Sequence, residues 1–222
     1  MNNEMVFAKR AFHQDFSPFF LGHVKLAIGH GYILANQCMY DNDFLKAYVG
    51  RRNRSHLQNT AVEFAIKNRA ERFGIDLSVQ ETNNSRGTFP HYNFSMGSSI
   101  FTVSRTPEYD AFPRDAIFRS MNSDINSQME MTDRNGVLDL PIDFGEVENY
   151  YAILTFGGKI DVDFMHFGIP NSDINRWLYQ YNLANALAPL EKVVPEREEI
   201  AETTVAAVKD QYIKRQEVSG SE

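Results

Sequence analysis

The densest concentration of chemistry-bearing side chains in this 222-residue chain is Arg51-Arg52-Asn53-Arg54-Ser55-His56. Three arginines within four positions offer planar donor forks that match phosphate oxygens two at a time. Ser55 also reads as the start of a helix ending near Gly74, so the cluster falls where unpaired N–H groups and the helix dipole favour an anion. Gln58 and Asn59 follow, amides of the kind that hydrogen-bond to base edges. Arg69 and Arg72 continue along the same helix. Arg86 and Arg105 fall in or beside a strand region that folding can bring close. The expectation is a non-enzymatic site for a phosphate-bearing ligand, nucleic acid foremost, drawn from Arg51, Arg52, Arg54, His56, Gln58, Asn59, Arg69, Arg86 and Arg105. The competing expectation is that these arginines pair with Asp41, Asp43, Glu63 and Glu71, or simply solvate a helix end.

Arg51 and His56 also have the R-x4-H spacing of the HEPN ribonucleases. The resemblance covers six residues. It implies metal-independent RNA cleavage, with Arg51 on a phosphate and His56 handling a proton. HEPN domains are all-helical bundles with the motif late in the domain, whereas strand signals follow it here. A standard helix-turn-helix is disfavoured more directly. Its outline fits a short helix 43–49, a turn at Gly50 and a longer helix, but the position after the glycine is normally apolar and is Arg51.

Lys159, Asp161 and Asp163 recur at every second position, which on a strand puts two carboxylates and a lysine on one face. Such a pair can hold a hard cation, but a solvated strand face with alternating charge is the favoured reading. His166 falls on the opposite face. His23 and His30 lie two helical turns apart, interrupted by glycines and without a further ligand nearby. No metal site and no cofactor are therefore expected. There is no Walker loop, G-x-S-x-G, H-E-x-x-H or dinucleotide fingerprint.

The formal charge of −7 is unevenly distributed. Residues 1–120 carry 14 Lys/Arg against 11 Asp/Glu, and residues 121–222 carry 8 against 18. A third reading follows from that asymmetry. Asp139, Asp143, Glu146, Glu148, Asp161 and Asp163 would form a negative face meeting a basic protein, making the chain an inhibitor or regulator. Cys38 is the single cysteine, so no intramolecular disulfide forms. The first residues lack a signal-peptide pattern and no apolar run is long enough to span a bilayer, which leads to a cytoplasmic expectation without membrane contact. The oligomeric state is left open.

The elements that must position these residues read as an α+β fold: an N-terminal helical layer, then a mainly antiparallel sheet with a helix packed on it. Ser17-Pro18 starts a helix that Gly29 and Gly31 are expected to break or bend, with a second helix over Tyr32–Met39. Ser55–Gly74 has the broadest apolar side. Strands are expected around Ile75–Val79, Tyr92–Ser95 and Ser99–Arg105, and a helix from Arg114 to Asn126. A hairpin follows, from Tyr150–Phe156 through a Gly157-Gly158 turn into a strand reaching His166. Ser172 is read as the cap of a helix over 172–187, from the stripe Ile174, Trp177, Leu178, Tyr181 and Ala184. One domain is expected over 1–190, with a charged helix or tail over 191–222.

Overall fold

The computed structural model describes residues 3–83, 90–130 and 149–189. Arg86, the acidic stretch containing Asp139, Asp143, Glu146 and Glu148, and the charged segment 191–222 lie outside the described residues.

Five helices precede the sheet: α1 (Asn3–Asp15), α2 (Pro18–Asp41), α3 (Asp43–Lys46), α4 (Tyr48–Arg51) and α5 (Arg54–Arg72). Helix α1 has no counterpart among the sequence-based expectations, although Ala8, Ala11 and Phe12 form a buried stripe at helical spacing. Helix α2 starts as expected, with the Phe20 N–H donating to Ser17 Oγ (3.2 Å) and Pro18 in the first turn. It then runs unbroken through Gly29 and Gly31, contrary to the expected break. Packing against α5 outweighs the intrinsic cost of glycine, about 1 kcal/mol relative to alanine. A Cβ on Gly31 would stand 2.7 Å from Val62 Cα, so glycine lets the two backbones close together there. Nothing comparable surrounds Gly29, and the structure gives no reason for that glycine.

Among the described residues six strands form one sheet in sequence order: β1 (Ser78–Asn83), β2 (Pro90–Met96), β3 (Ser99–Arg105), β4 (Tyr150–Gly157), β5 (Phe164–Pro170) and β6 (Trp177–Asn182). Neighbours are antiparallel except β3 and β4, which run parallel at the centre. The sheet is thus two antiparallel meanders joined by one parallel seam. Helix α6 (Ile117–Ser123) and a 3-10 turn (Asp124–Met129) belong to the segment between the two central strands.

Alternation divides the strands into two faces. One carries Phe94, Phe101, Val103, Tyr150, Ala152, Leu154, Phe156, Phe167 and Ile169, all buried in one core with Phe12, Phe16 and Phe20 from α1 and α2 and the linker between them. Phe16 and Phe167 sit 4.4 Å apart between ring centroids. Each ring so buried contributes roughly 1.5–3 kcal/mol of transfer free energy. The other face carries a polar row, Ser104, Thr155, His166 and Asn182 across four neighbouring strands, beside the fully buried Tyr151 and Ile153. The 106–130 segment covers it through ring contacts, with Tyr109 edge-on to His166, Phe112 stacked on Trp177 and Phe118 stacked on His91.

Two expectations are corrected in the second meander. Gly157 is the last residue of β4 and pairs with Phe164, so the chain turns through six residues, 158–163, instead of at Gly157-Gly158. Lys159, Asp161 and Asp163 therefore lie in a loop, and the strand face that would have aligned them does not form. The expected helix over 172–187 is replaced by β6 and a 3-10 turn at Leu183–Asn185. Ser172 caps nothing. Buried Asn171 instead closes a turn, its Oδ1 accepting from the N–H groups of Asn175 (2.9 Å) and Arg176 (3.0 Å), which returns the chain antiparallel to β5. The helices lying on the sheet come from the N-terminal layer and from α6.

Candidate basic groove at the α2–α4–α5 corner

The loop 158–163 is fastened to the helical layer through three successive carbonyl groups. Gly158 O accepts from Arg105 Nη2 (2.7 Å) and Tyr32 Oη (3.3 Å). Lys159 O accepts from Gln58 Nε2 (3.1 Å) and Arg54 Nη1 (3.3 Å), and Ile160 O from Asn36 Nδ2 (2.9 Å). These donors come from α2, α5 and β3, and they fix where the exposed Ile160 side chain stands. Gly158 is buried, and its carbonyl would otherwise lack a partner at a cost of roughly 1–3 kcal/mol.

Between that loop and the helical corner lies an open groove of about 410 Å³. Asn36, Met39 and Tyr40 line it from the end of α2, and Ile160 from the loop. Lys46, Arg51 and Arg54 bring three cationic side chains from three separate helices. The helices are short here because the chain turns twice: α3 and α4 are four residues each, and Gly50 lies against Phe44 and Leu45, where a Cβ would come within 2.3 Å of Phe44 O. That tight corner places Lys46 and Arg51 on the same opening. Arg51 Nε donates to Lys46 O (2.9 Å), which orients its guanidinium beside the lysine.

Neither Arg51 nor Arg54 forms an ion pair with a carboxylate among the described residues. Lys46 pairs with Asp43 at 3.1 Å, but both side chains are exposed. Such a pair is worth at most about 1 kcal/mol, so it leaves the lysine available to a stronger anion. Asn53, before the first turn of α5, makes no side-chain capping bond there.

The other residues named from sequence are dispersed. Arg52 is exposed and lies over the Tyr48 ring, 5.7 Å from its centroid, outside the groove lining. His56 is exposed on α5 and does not line the groove. Arg51 ends α4 while His56 belongs to α5, so the R-x4-H pair straddles a helix junction. Gln58 is fully buried and serves the loop, so it is in no position to read a base edge. Asn59 is engaged at both ends, donating to Glu63 Oε1 (2.8 Å) and accepting from the Arg105 N–H (3.1 Å). Arg105 itself anchors the loop. Arg69 lies more than three turns along α5, where its Nε donates to His23 Nδ1 (2.9 Å); burial first, then the guanidinium, lowers the His23 pKa. Of the acidic face, Asp161 and Asp163 are exposed in the 158–163 loop.

The groove thus gathers Arg51 and Arg54 from the sequence-based set. Lys46, Tyr40 and Asn36 were not in that set. A lysine five residues before Arg51 and a tyrosine six before that were visible, but only the double turn at α3 and α4 brings them together.

No protein-family model matches the chain, and neither a curated protein nor a solved structure matches it.

Proposed function

We propose that the protein binds a phosphate-bearing ligand, nucleic acid in the first instance, in the groove lined by Lys46, Arg51 and Arg54. The observation that carries this reading is the convergence of three cations from separate helices on one opening, with both arginines free of carboxylate partners among the described residues. Arg51 engages Nε and Arg54 engages Nη1 with neighbouring oxygens, so each guanidinium retains further N–H donors for a phosphate. Arg54 opens α5, so the positive end of that helix adds to the same potential. The groove also offers Met39 and Ile160 as apolar surface and Tyr40 as an aromatic wall, which suits a ligand that is only partly charged.

The experiment is a fluorescence-anisotropy titration with short labelled oligonucleotides across a salt series. Wild-type affinity should fall as salt rises, with a log–log slope of about −0.7 per contacted phosphate on a single strand. The Arg51→Ala/Arg54→Ala double variant should bind more weakly and show a shallower slope. Binding by that variant equal to wild type would remove the proposal.

A further inference from the structure

Resting on the phosphate-binding reading, we infer that the strand bound in the groove is single-stranded, its bases stacking on Tyr40 and Tyr48 while its phosphates lie on the neighbouring cations. Tyr40, Phe44 and Tyr48 are 75%, 68% and 75% exposed, three large aromatic side chains in nine positions of one corner. None of them stacks on another ring among the described residues, and at this exposure each leaves most of its ring surface in solvent. Both tyrosines are interleaved with positive charge. Lys46 Nζ stands 4.9 Å from the Tyr40 ring centroid, and the Arg52 guanidinium 5.7 Å from that of Tyr48. Tyr40 and Lys46 line the groove together with Arg51 and Arg54.

An open aromatic surface alternating with cations is what an unpaired strand recognises, because each of its nucleotides presents a flat base and a phosphate. A duplex keeps its base faces stacked internally and presents phosphates and groove edges, so it would engage the cations and leave the rings in water. An acidic peptide would likewise use the cations alone. The aromatic exposure therefore selects the single strand among anionic polymers. It also assigns Arg52, outside the groove lining, to a flanking phosphate beside Tyr48.

The test compares a labelled single-stranded oligonucleotide with the duplex of the same sequence and with a glutamate-rich peptide, using wild type, Tyr40→Ala, Tyr48→Ala, Tyr40→Phe and Arg51→Ala/Arg54→Ala. The single strand should bind at least roughly tenfold more tightly than the duplex. Each tyrosine-to-alanine change should cost roughly tenfold in single-strand affinity, and Tyr40→Phe should retain the affinity because the ring remains. Both rings are largely in solvent, so these variants should keep the wild-type thermal transition. Equal binding of strand and duplex, or silent alanine variants alongside a weakened arginine variant, would overturn the stacking inference and leave the phosphate reading standing. A preference for the peptide would overturn it as well. No binding to any nucleic acid would sink both.

Discussion

Arg54 and Gln58, one turn apart on α5, donate to the same oxygen, the Lys159 carbonyl, at 3.3 and 3.1 Å. Arg54 is therefore both a wall of the groove and a fastener of the loop that forms the opposite wall. Arg51 has no such second task, since its Nε bonds only to Lys46 O in the adjoining turn. The two substitutions should separate. Arg51→Ala should weaken oligonucleotide binding with no change in urea midpoint, whereas Arg54→Ala should weaken binding and cost about 1 kcal/mol of stability. Parallel anisotropy and urea titrations on the two variants check this. His56→Ala, altering a residue outside the lining, should bind as wild type.

Asn126 is the amide that ties the covering segment to the centre of the sheet. It is fully buried, its Nδ2 donates to Tyr151 O (2.9 Å) and Pro170 O (2.8 Å), and its Oδ1 accepts from the Tyr151 N–H (2.8 Å). Asn126→Ala should destabilise by about 2–4 kcal/mol, because several buried backbone groups lose their partner together. Asn126→Asp should not rescue, since a second oxygen would face the two carbonyls. Chemical denaturation of the three proteins decides it.

The helix contact at Gly31 gives a prediction of opposite chemistry. A Cβ there meets Val62 backbone atoms at 2.7–2.8 Å, and backbone has no rotamer through which to escape. Gly31→Ala should therefore cost about 1–3 kcal/mol through overpacking, despite the better helix propensity of alanine. Gly29→Ala, where nothing lies within 4 Å, should instead stabilise. Thermal midpoints of the pair would show shifts of opposite sign.

Acid should weaken the fold through its histidines. His166 is buried and neither ring nitrogen has a hydrogen-bond partner among the described residues; burial lowers its pKa below 6.5, with Asp110 opposing in part. His23 is lowered as well, and its Nδ1 must stay unprotonated to accept from Arg69. His13 and His30 shift in the same direction through burial. A folded-state pKa below the unfolded one means that, below 6.5, the unfolded chain takes up protons that the folded chain refuses. Stability is then fully present above 6.5 and declines as pH falls through that value towards the folded pKa. Urea midpoints from about pH 8 down to about pH 5 should fall, and His166→Leu should flatten the slope without abolishing it. An unchanged slope in that variant would show that His166 contributes nothing.

Much of the architecture was legible in local pattern. Ser17-Pro18, the apolar side of α5, and the β2–β3 hairpin at Gly97 (φ +57°) each carry their own chemistry on adjacent residues. The misreadings share one physical origin, a long-range contact deciding between two local patterns. Trp177, Leu178 and Tyr181 fit a helical stripe, yet Trp177, Tyr179 and Tyr181 also fit strand alternation. The Asn171 turn and pairing with β5 decide for the strand, and neither is visible in a window of that size. Gly157-Gly158 had the composition of a tight turn. Its carbonyl neighbours are instead claimed by Arg54, Gln58, Arg105, Tyr32 and Asn36, four of which lie more than 100 positions upstream. The groove was half visible for the same reason. Arg51 and Arg54 announced themselves by clustering, while Lys46 and Tyr40 join only because α3 and α4 turn so tightly.

The parallel seam sets the order in which the chain can assemble. Every residue pair along it, from Ser99 with Tyr150 to Arg105 with Phe156, is separated by 51 positions, whereas the antiparallel hairpins on either side close over short connections. Closing a span of that length carries an entropic penalty before any ladder bond offsets it. Two preformed three-strand units that meet late, with Val103 and Leu154 coming together in the final step, are the expected route, and the rate of folding should track the joining of halves more than the formation of either.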